Sequence, residues 1–333
     1  MKAKLSAAAG LAFGALLLWF ALRGTHPAEV LAAVKGFDPR WAPVLLLLPV
    51  LDICTRAMRW KLLLQAISSA RVTKLFQLES VGLALNNVLF MRLGEFARAV
   101  LCGLELEVHA FAVLATIVVE RLCDACALFS LFAVVTTLTG VPVDPVVRLA
   151  AAGLSAGIVV VLVAAAYSEK FLVRLAQERL RPWPRLAHLA EDLAAGTRGL
   201  RAPGAWWRVA LLSYALWTID ALVFWSAARA IDLEPLLSFG QAVAVVTIAS
   251  AATAFPTAPG GFGNFEAAVK WVLVRFGAAP AEAFAFAAFT HLVMYTIVTV
   301  LGVVFLYRLG HTIEGLKKAV ERLRAVRRPR LRP

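Results

Sequence analysis

The sequence predicts an all-α polytopic membrane protein with about six full transmembrane helices and two re-entrant helical hairpins in an inverted-repeat arrangement. Three observations lead there. Of 333 residues, 61% are hydrophobic and only 17% are charged, whereas a soluble domain carries roughly a quarter charged residues. Lipid must therefore form part of the solvent. Apolar runs recur at about 5–22, 41–58, 76–101, 110–138, 146–166, 208–230, 237–277 and 283–307. The segments between them differ sharply in charge, and two of the runs are interrupted by residues that a plain span would not carry.

Taken in order, Met1–Lys4 precedes an apolar run of 18 residues, Leu5 to Leu22. That run is long for the core of a signal peptide, so an uncleaved first span is expected. Segment 56–75 holds Arg56, Arg59, Lys61, Arg71 and Lys74 and no acid, and segment 167–208 has eight basic residues against four acids. By the positive-inside rule both face the cytoplasm, as does the tail, which has nine Lys or Arg from Arg308 to Arg332. Segments 139–147 and 231–236 carry Asp144, Asp232 and Glu234 without a Lys or Arg and lie outside.

Parity then decides the rest. Between cytoplasmic 56–75 and external 139–147 the chain must cross an odd number of times, yet it has two apolar runs. Run 76–101, broken by Asn86, Asn87, Arg92, Gly94, Glu95 and Arg98, is read as a hairpin entering from the cytoplasm. The same count makes 237–277 a second hairpin entering from outside, interrupted by Pro256, Pro259, Gly260, Gly261 and Gly263. Loop 102–109, placed inside, carries Glu105 and Glu107, which influence orientation little. The reading is one integral membrane domain, 1–310, made of pseudo-repeats 1–140 and 141–310, followed by a basic cytoplasmic tail, 311–333. Both termini are cytoplasmic, and the membrane is the cell inner membrane. Paired broken segments at matching positions of two inverted repeats point to a binding site at the midplane. The stretch 169–202, with leucines among charges, reads as a helix along the cytoplasmic surface.

Charge inside a bilayer is costly and marks function or a salt-bridge knot. Arg92, Glu95 and Arg98 sit three apart on one helix face with Asn86 and Asn87 nearby. They carry one excess positive charge, which suits a phosphate, though a self-satisfied ion network pinning the hairpin is the rival reading. Glu120 and Asp124 are helix neighbours that repel unless a proton, a cation or an arginine lies between them. Arg121 pairs with Asp124 at i,i+3, and Arg92 or Arg98 can serve Glu120. In Pro256-Thr-Ala-Pro259-Gly260-Gly261-Phe-Gly263-Asn-Phe-Glu266, a second half-helix should start near Gly263, its free amides and positive dipole end offered to an anion. A breaker that only turns the chain is the alternative. Arg56 and Arg59 snorkel to headgroups or line a substrate entrance. Asp220 and His291 read as lone interhelical glue.

Much is excluded. The five histidines have no metal-ligand spacing, and neither a Walker loop nor a GxSxG motif occurs, so no enzyme activity, metal or cofactor is expected. The four cysteines, including Cys123 and Cys126 at redox spacing, read as small apolar fillers. The net charge of +13 sits between spans and in the tail rather than on a soluble patch, so it points to anionic lipid and not to nucleic acid.

At these clusters the chain resembles the flippase-like family built on the membrane domain of lysylphosphatidylglycerol synthases. Asn86, Asn87, Arg92, Gly94, Glu95 and Arg98 match its Asn and Pro-x-Arg-x-Gly-Glu pattern, with Phe90 where the family has Pro. Glu120, Arg121 and Asp124 match its Glu-Arg-x-x-Asp pattern. Pro256, Pro259, Gly260, Gly261, Gly263 and Glu266 match its Pro-x-x-Pro-Gly-Gly-x-Gly-x-x-Glu pattern, and Arg59-Trp60 matches its early Arg-Trp. The likeness covers roughly 5–310, and no synthase domain follows, so aminoacylation is not implied. What it implies is translocation of a lipid or its anionic headgroup, such as a phospholipid, hopanoid or polyprenyl phosphate. Arg59, Asn86, Asn87, Arg92, Glu95, Arg98, Glu120, Arg121, Asp124, Pro256, Pro259, Gly260, Gly261, Gly263 and Glu266 would be the substrate-binding set and membrane lipids the partners. A homo-oligomer and lipid-biosynthesis partners stay open. The rivals are a membrane-embedded transferase or hydrolase with Glu95 and Glu120 as acid and base, and a non-transporting scaffold for lipid synthesis.

Overall fold

Lipid offers no hydrogen bonds, so a spanning backbone must satisfy its own amides. Among the described residues the chain is helical, with no strand. The computed structural model describes residues 35–89, 93–167, 195–233, 237–254 and 258–312, and positions 16, 18, 19, 22, 28 and 315. Most of the expected first span, most of the expected surface helix, most of the basic tail, and Phe90, Arg92, Glu234 and Pro256 lie outside the described residues.

Helix α1, Ala42–Leu64, follows a 3-10 turn, Pro39–Trp41, whose start is capped by Asp38 accepting from Arg40 N at 2.9 Å. It runs well past the end of its apolar stretch, because Arg56 and Arg59 find partners inside the bundle. Helix α2, Val72–Val88, stops where Leu89 turns extended (φ −96°, ψ 145°), and α3 runs from Leu93 to Leu106. The two arms lie antiparallel and very close. A Cβ at Gly94 would fall 2.2 Å from Gly82 O and 2.5 Å from Asn86 N, so only glycine permits the approach. The hairpin is longer than the 76–101 hydropathy suggests, since the Lys74–Glu105 ion pair closes its base with helical polar residues.

Helices α4 (Ala110–Leu138), α5 (Pro145–Tyr167) and α6 (Ala205–Ala230) follow. Helix α7, Phe239–Thr253, opens with a capping box: Gln241 Oε1 accepts from Ser238 N at 2.8 Å, and Ser238 Oγ accepts from Gln241 N at 3.3 Å. A 3-10 turn, Pro259–Gly261, leads to α8 (Asn264–Arg275), and α9 is Pro280–Arg308. Gly260 (φ 67°) and Gly263 (φ 88°) take left-handed backbone, so the second hairpin turns on residues without a Cβ.

Among the described residues four helices are long and apolar enough to cross a membrane: α1 with its preceding turn, α5, α6 and α9. Helix α4, at 29 residues, is about 43 Å long but carries Glu120, Arg121 and Asp124 at its centre. Helix α5 shows Val146, Leu149 and Val160 on an open face, as a lipid-facing helix would. The same neighbours recur in both halves: α1 with α2 and α6 with α7, α3 with α4 and α8 with α9, α2 with α9 and α7 with α4. Equivalent helices α1 and α6 run antiparallel, with Trp41 against Trp225 (6.1 Å between rings), Arg56 against Asp220 and Arg59 against Ser213.

The base of the first hairpin lies at the start of α4, where His311 after α9 also reaches Glu105 at 2.7 Å. The base of the second lies at the other end of α4, where a Cβ at Gly240 would strike Thr139. Their turns meet between these ends. A Cβ at Gly260 would lie 3.3 Å from Asn87 O, and Asn87 Nδ2 donates to Thr299 Oγ1 at 2.9 Å.

Candidate binding cavity

A cavity of about 580 Å³ opens where the two turns meet. Every element of the fold that carries intramembrane charge contributes to it. Its charged wall is Asp52 and Arg56 of α1, Glu95 of α3, Arg121 and Asp124 of α4, and Asp220 of α6. Asn86 and Asn87 come from the first hairpin and Gly260 and Gly261 from the second, while Phe129, Trp217, Phe265 and Met294 supply apolar surface. A concave, mostly apolar space with a few convergent polar groups is the usual form of a ligand site.

Arg56 is the hub of the front wall. Its Nε donates to Asp52 Oδ2 at 2.7 Å and its Nη2 to Asp220 Oδ2 at 3.3 Å, and Asp124 Oδ2 is 4.0 Å from Nη1. The other oxygens of Asp52 and Asp220 are buried with no hydrogen-bond partner among the described residues. Arg121 reaches Asp124 at 3.2 Å and Glu95 at 3.7 Å, and its side chain keeps 34% exposure. It is the cation most open to a ligand among the described lining residues.

Behind this wall lies a second layer that does not line the cavity. Arg59 is fully buried, donates to Asp124 and to Ser213 Oγ (3.0 Å), and lies 3.9 Å from Glu120. Arg98 donates to both Glu79 and Glu120 and stacks on Trp60 at 4.4 Å. Trp60 Nε1 in turn donates to Thr116 Oγ1 at 3.0 Å. Ions out of water need such mutual satisfaction, because desolvation costs several kcal/mol per ion.

The predicted site residues therefore divide. Asn86, Asn87, Glu95, Arg121, Asp124, Gly260 and Gly261 meet at the cavity. Arg59, Arg98 and Glu120 are set back in the second layer, where Arg98 meets Glu79, which the sequence reading did not single out, as well as Glu120. Arg121 pairs with Asp124 and Arg98 with Glu120, as the spacing suggested, and Arg59, which neither snorkels nor lines an entrance, lies between the two carboxylates. The described lining has four carboxylates and two guanidiniums, with Glu95 the one member of the Arg92, Glu95 and Arg98 cluster among them. Arg92 and Pro256 lie outside the described residues. Of the two carboxylates named for an acid–base pair, Glu95 lines the cavity and Glu120 is wholly buried behind it.

The half-helix end also differs from expectation. One of its amides is taken within the chain, since Glu266 Oε2 accepts from Gly263 N at 2.7 Å, and in the preceding turn Gly261 N donates to Ala258 O at 3.1 Å. Pro259, Gly263 and Glu266 shape the turn from outside the cavity lining. Two residues read as lone glue belong to the site: Asp220 on Arg56, and His291 between Glu266 and Gly260 O. Asp52 was missed as well. The four cysteines are free thiols, Cys102 and Cys123 buried, as fillers would be.

Residues 7–302 match the family described as Lysylphosphatidylglycerol synthase TM region. Glycosyltransferase AglD of Haloferax volcanii is 32% identical over 121 residues, a stretch covering 35% of this chain and 19% of that protein. No solved structure matches the chain.

Proposed function

The chain belongs to the Lysylphosphatidylglycerol synthase TM region family, and we propose that it moves a lipid or lipid-linked headgroup across the cell inner membrane. In this reading six helices span the bilayer, the two hairpins are re-entrant from opposite faces, and the termini are cytoplasmic. The observation that carries it is the charged cavity of about 580 Å³ at the meeting of the two hairpin turns. A headgroup phosphate contacts Arg121 and Arg56, the two guanidiniums of the described lining. Acyl chains stay in lipid. Rocking of the two halves about the cavity, supported by their repeated neighbour pattern, opens it to each face in turn.

The test is movement of headgroup-labelled phospholipid in reconstituted vesicles, read with an impermeant quencher. Wild type should speed exchange between leaflets, and Arg121→Gln should slow it about tenfold, the loss of one charge-assisted contact. Wild type no faster than protein-free vesicles contradicts the reading. Similarity to a protein named a glycosyltransferase supports a second one, a membrane-embedded transferase on a lipid-linked substrate. That reading requires a chemically altered lipid by mass spectrometry, where transport changes only sidedness.

A further inference from the structure

His291 stands near the middle of α9 and lines the cavity, only 7% exposed. Its ring lies against Phe262 and Phe265, with centroids 4.6 and 4.5 Å away. Held there, both nitrogens face acceptors: Nδ1 is 2.7 Å from Glu266 Oε1, and Nε2 is 3.0 Å from Gly260 O. A carbonyl oxygen can only accept, and a neutral imidazole has a single N–H. For both contacts to be hydrogen bonds, two protons must lie along them. A neutral histidine beside an ionised glutamate supplies one, so satisfying both takes one proton more, on the imidazole or on Glu266 Oε1.

We propose that His291 and Glu266 form a proton-binding site whose occupancy latches the Gly260 turn to α9. The proposal deepens the transport reading by naming a proton as its coupling ion. On release, the Nε2–H bond breaks, the proton passes to water in the cavity, and the electron pair stays on Nε2. Two acceptors then face each other across 3.0 Å and repel. The turn can yield, because Gly260 and Gly261 (φ 67° and 78°) carry no side chains to anchor it. It is also the surface on which the second hairpin meets Asn87 of the first, so unlatching loosens the contact between the hairpins. Other polar and charged groups around the site are Tyr295 on α9, Lys270 one turn beyond Glu266 on α8, Asn86 and Asn87 on α2, Ser250 and Thr253 on α7, and across the cavity Asp220 on α6, Asp52 and Arg56 on α1, Glu95 on α3, and Arg121 and Asp124 on α4. Arg56 occupies Asp52 and Asp220, which leaves Glu266 as the carboxylate in contact with the ring.

The test is nitrogen NMR of the full chain in nanodiscs with labelled histidine, from about pH 5 to pH 9, the range histidine titration covers. The His291 signal is assigned by its loss in His291→Gln and, independently, by its shift in Glu266→Gln. Two protons on the His291–Glu266 contacts at the acidic end, one at the alkaline end, and a rise in thiol reactivity of Ala258→Cys several-fold beyond that of the same thiol in a His291→Gln background, which carries the ordinary thiolate dependence, support the site. A single proton at every pH where the chain is folded overturns it, as does a titration with the same Ala258→Cys pH profile in both backgrounds. Neither readout involves lipid, so failure of lipid movement with this titration intact contradicts the transport reading alone.

Discussion

Arg59→Leu separates the two layers of the ion network. Arg59 is fully buried and contacts Asp124 and Glu120. Removing one partner of a buried pair costs about 3–5 kcal/mol, because the carboxylates left behind stay desolvated. The structure moves the expectation to the lower end, about 3 kcal/mol. Asp124 keeps Arg121 at 3.2 Å and Arg56 at 4.0 Å, and Glu120 keeps Arg98. Reversible unfolding in mixed micelles reads the difference. Arg59→Leu with Asp124→Leu should recover part of the loss, since the orphaned carboxylate goes with its partner. Arg121→Gln, on a half-exposed side chain in the front wall, should cost under about 1 kcal/mol while slowing lipid movement. If Arg59→Leu stays within about 0.5 kcal/mol of wild type, the ordinary range for a surface site, the division into a structural back layer and a ligand-facing front layer is wrong.

Gly94→Ala should destabilise by about 1–3 kcal/mol or more through overpacking. Its Cβ would meet backbone at 2.2 Å, whereas Gly153→Ala and Gly157→Ala, with nothing within 4 Å, should leave stability unchanged by the same assay. Gly302→Ala should behave like Gly94→Ala, because its Cβ would lie 2.4 Å from Ser80 O where α9 crosses α2. Trp60→Phe should cost about 1 kcal/mol for the lost bond to Thr116, read by the same unfolding.

Hydropathy makes the helices legible because lipid demands long apolar stretches, but it misplaces ends that are polar and still helical. Arg59 to Leu64 belongs to α1, and Lys74 and Glu105 belong to the arms of the first hairpin. Ions inside apolar runs stand out, so Glu95, Arg121 and Asp124 were readable as a site. Their partners were less so. Asp52 gains its meaning from Arg56 one turn later, a spacing present in the sequence, whereas Asp220 and His291 gain theirs from residues far along the chain. One contact at the start of α8 was legible too: Glu266 stands three residues after Gly263, the reach at which a carboxylate accepts from an N-cap amide, and it occupies one amide the sequence reading offered to an anion. That Arg98 turns to Glu79 follows from the packing of two hairpin arms, which no local pattern encodes.

The most direct test of a headgroup cavity between the hairpins is side-specific labelling of one cysteine. With Cys54, Cys102, Cys123 and Cys126 replaced by alanine, Ser250→Cys places a thiol on the cavity wall, and Val160→Cys places one on the open face of α5. In oriented vesicles an impermeant thiol reagent should label Ser250→Cys from both faces and leave Val160→Cys untouched, with added phospholipid slowing the first reaction. No labelling of Ser250→Cys from either face would contradict a water-accessible site between the two turns.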